Sequence, residues 1–140
     1  CEAGADIVTV MAFASDKTIE GVAREAHARG RRVMADLLGA QDAAAAAQRV
    51  RALGADIACL HVAVDAQQGQ SGPAAAQVAA VSAACSGMPL AVAGGIREST
   101  ARALCGAGAD WLIVGGAVCN APDARAAAAA IRMAMQGKGL

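Results

Sequence analysis

Three times along this chain a glycine, an alanine and an aspartate lead straight into an apolar run. The stretches are AGADIVTV at 3–10, LGADIACLHV at 53–62 and AGADWLIVGG at 107–116. Physically this reads as a helix ending on a glycine, which tolerates the left-handed conformation just past a helix, then a short turn and a strand. The apolar runs are continuous rather than alternating. A strand of that kind is covered on both faces, as in a parallel sheet. Two more runs fit the series, RVMADLL at 32–38 and PLAVAGGI at 89–96.

Helical segments are expected between these strands. In 17–29, Ile19, Val22, Ala23 and Ala26 share a face, with Arg24, Glu25 and His27 off it and Gly30 as a stop. Asp42 is a suitable N-cap for a helix over 42–53 whose Val50 and Leu53 point inward. Pro73 suits the first turn of a helix over 73–86, and Pro122 that of one over 122–136; a further helix is expected over 98–106. Five consecutive βα units make an α/β protein. The 140 residues suffice for one domain with a real core. No linker interrupts them, and the alanine runs at 43–47 and 126–130 follow from helix propensity alone.

Composition narrows the function. Twelve basic residues balance twelve acidic ones, so no basic patch marks a nucleic-acid or membrane-surface protein. No apolar run approaches the roughly 18 residues of a membrane span. Cys1-Glu2 opens the chain without the basic start and apolar stretch of a secretory signal. The five cysteines form no CxxC pair, which argues against zinc and against a disulfide framework and suits a reducing cytoplasm. Cys59 and Cys119 are expected to be small buried hydrophobes.

Five βα units allow an open doubly wound sheet or part of a (β/α)8 barrel. The first would often carry a GxGxxG or GxxxxGK[ST] loop, and neither occurs. The barrel is favoured because polar groups and glycines gather where strands end: Asp36 in RVMADLL, His61 closing IACLHV, Gly94-Gly95 and Gly115-Gly116. Strand C-termini carry barrel chemistry, and the last two loops often bind phosphate through main-chain N–H groups. The doublets are candidate phosphate binders, with tight turns as the plain alternative. His61 is a candidate proton-transfer group, or else a satisfied rim or core histidine. Asp36 needs a partner if buried: a lysine, a sugar hydroxyl, or an ion pair inside the barrel. Asp65 and Gln67 follow His61 on the expected rim. His27 reads as solvated, Asp6, Asp56 and Asp110 as turn residues, and Met133 and Met135 as packing.

The ordered series GADIVTVMAFASDKTIEGVAREA, VMADLL, LGADIACLHVAVDAQ, AVAGGI and GADWLIVGGAV resembles the 3-hexulose-6-phosphate synthase family. That family lies in the orotidine-5′-phosphate decarboxylase superfamily of barrels. The His-x-x-x-Asp-x-Gln segment at 61–67 is the more specific part. The resemblance implies an aldol addition of formaldehyde to ribulose 5-phosphate through a Mg²⁺-stabilised enediolate, in formaldehyde fixation. It implies that His61 contacts the enediolate or its protons and that Asp36 joins the site's polar network. Backbone amides at Gly94, Gly95, Gly115 and Gly116 would hold the phosphate, while Asp65 and Gln67 anchor the rim. The sibling 3-keto-L-gulonate-6-phosphate decarboxylases have an arginine where this chain has Val64 and a threonine where it has Ala93; both departures favour the synthase.

By the same resemblance, residues 1–140 correspond to strands 4–8, the C-terminal part of a single TIM-barrel domain. The first three βα units, with a metal-binding glutamate and an Asp-x-Lys-x-x-Asp motif, have no counterpart here. Only Lys17 and Lys138 occur, neither on an expected strand. Metal ligands are therefore expected outside this segment, with Mg²⁺ bound by the intact family member and not by this chain alone. Intact members are homodimers by resemblance. A third reading is a non-catalytic remnant that still binds sugar phosphate.

Overall fold

The computed structural model describes residues 1–62 and 71–136, with backbone alone for 71–73. Five strands, β1 (Ile7–Met11), β2 (Arg32–Asp36), β3 (Ile57–His61), β4 (Leu90–Ala93) and β5 (Trp111–Ile113), alternate with helices. The helices are α1 (Asp16–His27), α2 (Ala43–Ala52), α3 (Ser71–Ala84), α4 (Glu98–Gly106), α5 (Gly116–Cys119) and α6 (Ala124–Met135). Side-chain acceptors start three of them. Ser15 Oγ accepts the Thr18 N–H at 3.2 Å, Asp42 Oδ1 that of Ala45 at 2.9 Å, and Asp123 Oδ1 that of Ala126 at 2.9 Å. Each satisfies an amide that the first turn leaves without a helical partner. The α1 face expected from the sequence is the buried one, with Ile19, Ala23 and Ala26 enclosed and Val22 packed beside them.

All four strand pairings are parallel, in the order β1-β2-β3-β4-β5. A doubly wound sheet reverses its strand order at a switch point; this sheet runs one way, as a barrel does. The two faces separate by residue parity. Val10, Val33, Ala35, Ala58, Leu60, Leu90 and Val92 join the helix-covered core. Ile57, Cys59, Ala91 and Ala93 form a second, smaller cluster with Ile7, Met34 and Trp111. On that second face the Arg32 guanidinium stands 5.4 Å from the Trp111 ring centre. Their strands are three apart, about 14 Å across a flat sheet. A sheet curled toward this face brings the two side chains within reach, as the wall of a barrel would.

The repeated Gly-Ala-Asp is more than a turn. The Asp56 N–H donates to the Val33 carbonyl at 2.9 Å while its Oδ2 accepts the Val33 N–H at 2.7 Å. Asp110 does the same to Leu90, at 2.9 and 2.8 Å. Each aspartate thus clasps both main-chain groups of one residue on the preceding strand. Asp6 instead accepts from Arg31 Nη1 at 2.6 Å and is largely exposed.

Three expectations need correction. The last unit holds two helices, because β5 stops after three residues and the chain turns at once into the four-residue α5; α6 then begins at Ala124, after the Asp123 cap. Cys119 consequently sits on α5, past the cover of the sheet, and is exposed, whereas Cys59 is buried as expected. His27 is not merely solvated: its Nε2 lies 2.9 Å from Asp56 Oδ2, which ties α1 to the start of β3.

Candidate functional site

Asp36 and His61 close adjacent strands. Register pairs Asp36 with Cys59 and His61 with Ala93, so strand parity turns both side chains to the face that carries Arg32 and Trp111. Asp36 Oδ1 accepts the Leu38 N–H at 2.9 Å, a local turn that fixes the carboxylate. Its Oδ2 lies 3.6 Å from His61 Nδ1, too long for a formed hydrogen bond. Among the described residues the partners of Asp36 are an amide and an imidazole, with no lysine beside it. His61 Nδ1 is itself buried and has no hydrogen-bond partner among the described residues, although the side chain as a whole is 37% exposed. One ring edge is therefore enclosed beside a carboxylate while the rest opens outward. A small closing motion would let Nδ1–H donate to Asp36 and leave Nε2 as an acceptor, the tautomer a general base requires.

The glycines of the first doublet are conformationally required. Gly94 has φ +95° and Gly95 φ +52°. A Cβ on Gly94 would run into the Val62 carbonyl oxygen and stand 3.3 Å from His61 Cδ2. Gly94 therefore lets the loop after β4 press against the end of β3, beside the imidazole. The second doublet follows the neighbouring strand, since Ala93 and Ile113 are in register. At Gly115, φ is −105° and a Cβ would meet nothing within 4 Å. Among the described residues, open space lies where a side chain at Gly115 would stand. The two doublets and His61 thus leave three successive strands at the same end.

Asp65 and Gln67 lie outside the described residues. Cys59, between Asp36 and Ala91 in the sheet, is held protonated: burial, and secondarily the Asp36 charge, push its thiol up to about 11. Residue reading missed Thr9, Arg32 and Trp111 as members of this face; only strand register reveals them. Among the described residues no three His, Cys, Asp or Glu side chains converge on a point. Asp36 and His61 alone do not make a divalent-cation site.

A one-way parallel βα array, curled toward a face whose polar groups cluster at strand C-termini, defines the class of (β/α)-barrel proteins. Among these, the orotidine 5′-phosphate decarboxylase / HUMPS family model matches residues 1–131, and the chain belongs to that family. It is 40% identical over 134 residues to the 3-hexulose-6-phosphate synthase of Mycobacterium gastri, an alignment covering 96% of this chain and 64% of the relative. The solved 3-hexulose-6-phosphate synthase of Salmonella typhimurium superposes with a TM-score of 0.85 at 29% identity, over 99% of this chain and 65% of that one. The 3-keto-L-gulonate-6-phosphate decarboxylase of Vibrio cholerae superposes at 0.81 with 26% identity, over 99% and 64%. The chain spans slightly less than two thirds of the curated relatives it matches. No helix among the described residues is long and apolar enough to cross a membrane.

Proposed function

We propose that this chain is the phosphate-gripping and proton-handling part of a 3-hexulose-6-phosphate-synthase-type aldolase, corresponding to strands 4–8 of its barrel. The substrates would be ribulose 5-phosphate and formaldehyde. The observation that carries this reading is the His61–Asp36 pair beside the Gly94 loop, in a chain whose 33–40% identical relatives are named as that synthase.

In this reading, amides of Gly94, Gly95, Gly115 and Gly116 hold the substrate phosphate, where main-chain N–H groups approach an anion without side-chain obstruction. His61 Nε2 takes the proton from C1 of ribulose 5-phosphate. The resulting enediolate carbon forms a bond to the formaldehyde carbon, and the formaldehyde oxygen takes up a proton, which the imidazolium can return. Asp36 fixes the tautomer and stabilises the imidazolium. Mg²⁺, when bound in such enzymes, supplies electrostatic stabilisation of the enediolate. Asp36 and His61 alone do not fit that ion; in this reading its ligands come from the part of the relatives that this chain does not match. Asp65 and Gln67 remain rim residues in this proposal, and the intact barrel a homodimer of the cytoplasm.

The test uses purified chain, ribulose 5-phosphate, formaldehyde and Mg²⁺. Saturable ribulose 5-phosphate binding without turnover is expected for the chain alone, and formation of the hexulose phosphate once the additional units are supplied. Release of CO₂ from 3-keto-L-gulonate 6-phosphate instead would transfer the chain to the sibling decarboxylases. Binding with neither reaction in the completed barrel would make it a non-catalytic sugar-phosphate binder.

A further inference from the structure

Asp36 is the last residue of β2, and beyond the end of β1 its ladder partner is a loop. The Asp36 carbonyl accepts the N–H of Ala12, the first residue past β1, at 2.7 Å. A strand end tied in this way is only as fixed as the loop residue that ties it. Ala12 is held from its other side by Arg49 of α2. Arg49 Nη1 donates to the Ala12 carbonyl at 2.7 Å, Nη2 to the Ala14 carbonyl at 3.0 Å, and Nε to Asp16 Oδ1 at 2.9 Å. Nη2 also donates to that carboxylate oxygen. One guanidinium thus grips positions 12, 14 and 16, the passage from β1 into α1. Its stem is anchored, because Ala47 and Val50 close by on α2 are fully buried. The grip suits arginine, whose planar fork offers five N–H donors in fixed directions; a lysine ammonium is a single point and cannot span two carbonyls and a carboxylate. Arg51, two residues on, shows the ordinary case: its Nη1 makes one bond, to the Ser86 carbonyl at 2.6 Å.

We propose that Arg49 is a positioning residue for the Asp36–His61 pair: by clamping the β1–α1 loop it fixes the end of β2 and keeps the Asp36 carboxylate within closing distance of the imidazole. The contacts form a continuous series. Arg49 holds the Ala12 carbonyl, the Ala12 N–H holds the Asp36 carbonyl, and Asp36 Oδ2 stands 3.6 Å from His61 Nδ1. That gap is why a clamp matters. It exceeds a formed N–H···O bond by roughly a few tenths of an ångström, while Nδ1 is enclosed without another partner among the described residues. A displacement of Asp36 no larger than this decides whether Nδ1–H finds its acceptor, and so which ring nitrogen carries the proton. The inference rests on the reading of His61 as the proton-handling group and adds the residue that holds its partner in place.

The experiment records the ring ¹⁵N signals of neutral His61 in the whole 140-residue chain, which report the ratio of the Nδ1–H to the Nε2–H tautomer. Wild type, Arg49→Ala, Arg49→Lys, Asp36→Ala and Asp42→Ala are compared, each with its unfolding midpoint. Wild type is expected to favour Nδ1–H. Both Arg49 variants are expected to lower the ratio at least about threefold, within what one hydrogen bond is worth. Arg49→Lys keeps the charge and the stem, and carries the test alone should Arg49→Ala fail to fold. Asp42→Ala weakens the same helix through its cap without touching the loop, and is expected to leave the ratio unchanged. An unchanged ratio in the Arg49 variants, with Asp36→Ala still lowering it, would overturn the clamp and leave the reading of the pair standing. A wild type without the Nδ1–H preference, or an unchanged ratio in Asp36→Ala, would overturn that reading and the clamp with it. An equal fall in Asp42→Ala would overturn the clamp, since loosening α2 by any route would then suffice.

Discussion

Glycine 94 is where conformation and chemistry meet at a single residue. Its positive φ and the Val62 carbonyl beside it leave no room for a side chain. Gly94→Ala is therefore expected to cost about 1–3 kcal/mol of stability, read as a lowered midpoint in urea, and to weaken phosphate binding further by moving the His61 ring. Gly115 offers the contrast. Alanine there meets no described atom, so Gly115→Ala should cost less stability than Gly94→Ala while reducing ribulose 5-phosphate affinity. Cys59 and Cys119 differ in the same residue-level way. With its thiol raised from 9.0 to about 11 and its side chain buried, Cys59 stays protonated in the folded protein at pH 8. Iodoacetamide should label exposed Cys119 at least about ten times faster than Cys59. The raised value also has a thermodynamic sign. The unfolded thiol ionises near 9 and the folded one near 11, so this group favours unfolding as the pH climbs through that interval.

At the scale of elements, the aspartate clasp explains why strands and helices keep their register. Asp56→Ala removes an acceptor shared by the Val33 N–H and His27, leaving a part-buried amide unpaired. A loss of about 1–3 kcal/mol is expected in chemical unfolding. The Asp42 cap of α2 is a smaller, separate term, about 1 kcal/mol for Asp42→Ala. Strand order, helix faces and most boundaries were legible in the sequence because apolar periodicity and glycine stops report local constraints directly. The clasp was only half legible. Gly-Ala-Asp could be seen to end a helix and begin a strand, but its second partner is some twenty residues back in sequence and appears only once strands are registered. The end of the chain misled for a related reason. Gly115-Gly116 could be read as the close of the last strand, but not as the start of a separate four-residue helix ahead of α6.

Across the whole molecule, one consequence of winding in a single direction governs function: every strand delivers its last residues to the same rim. The sequence showed which residues close the strands, and the structure shows that Asp36, His61 and the first glycine doublet come together. It also shows what spacing could not, that His61 Nδ1 is enclosed beside Asp36 without a formed hydrogen bond. The other end of the curled face carries Arg32 over Trp111. The decisive measurement is an NMR titration of the amide and imidazole signals with ribulose 5-phosphate. Saturable shifts at Gly94, Gly95, Gly115, Gly116 and His61 are expected, with excess inorganic phosphate reproducing those of the glycines and reversing that of His61. Shifts confined to the Arg32–Trp111 end, or no saturable shift at any of those five residues, would contradict a phosphate held where the strands finish.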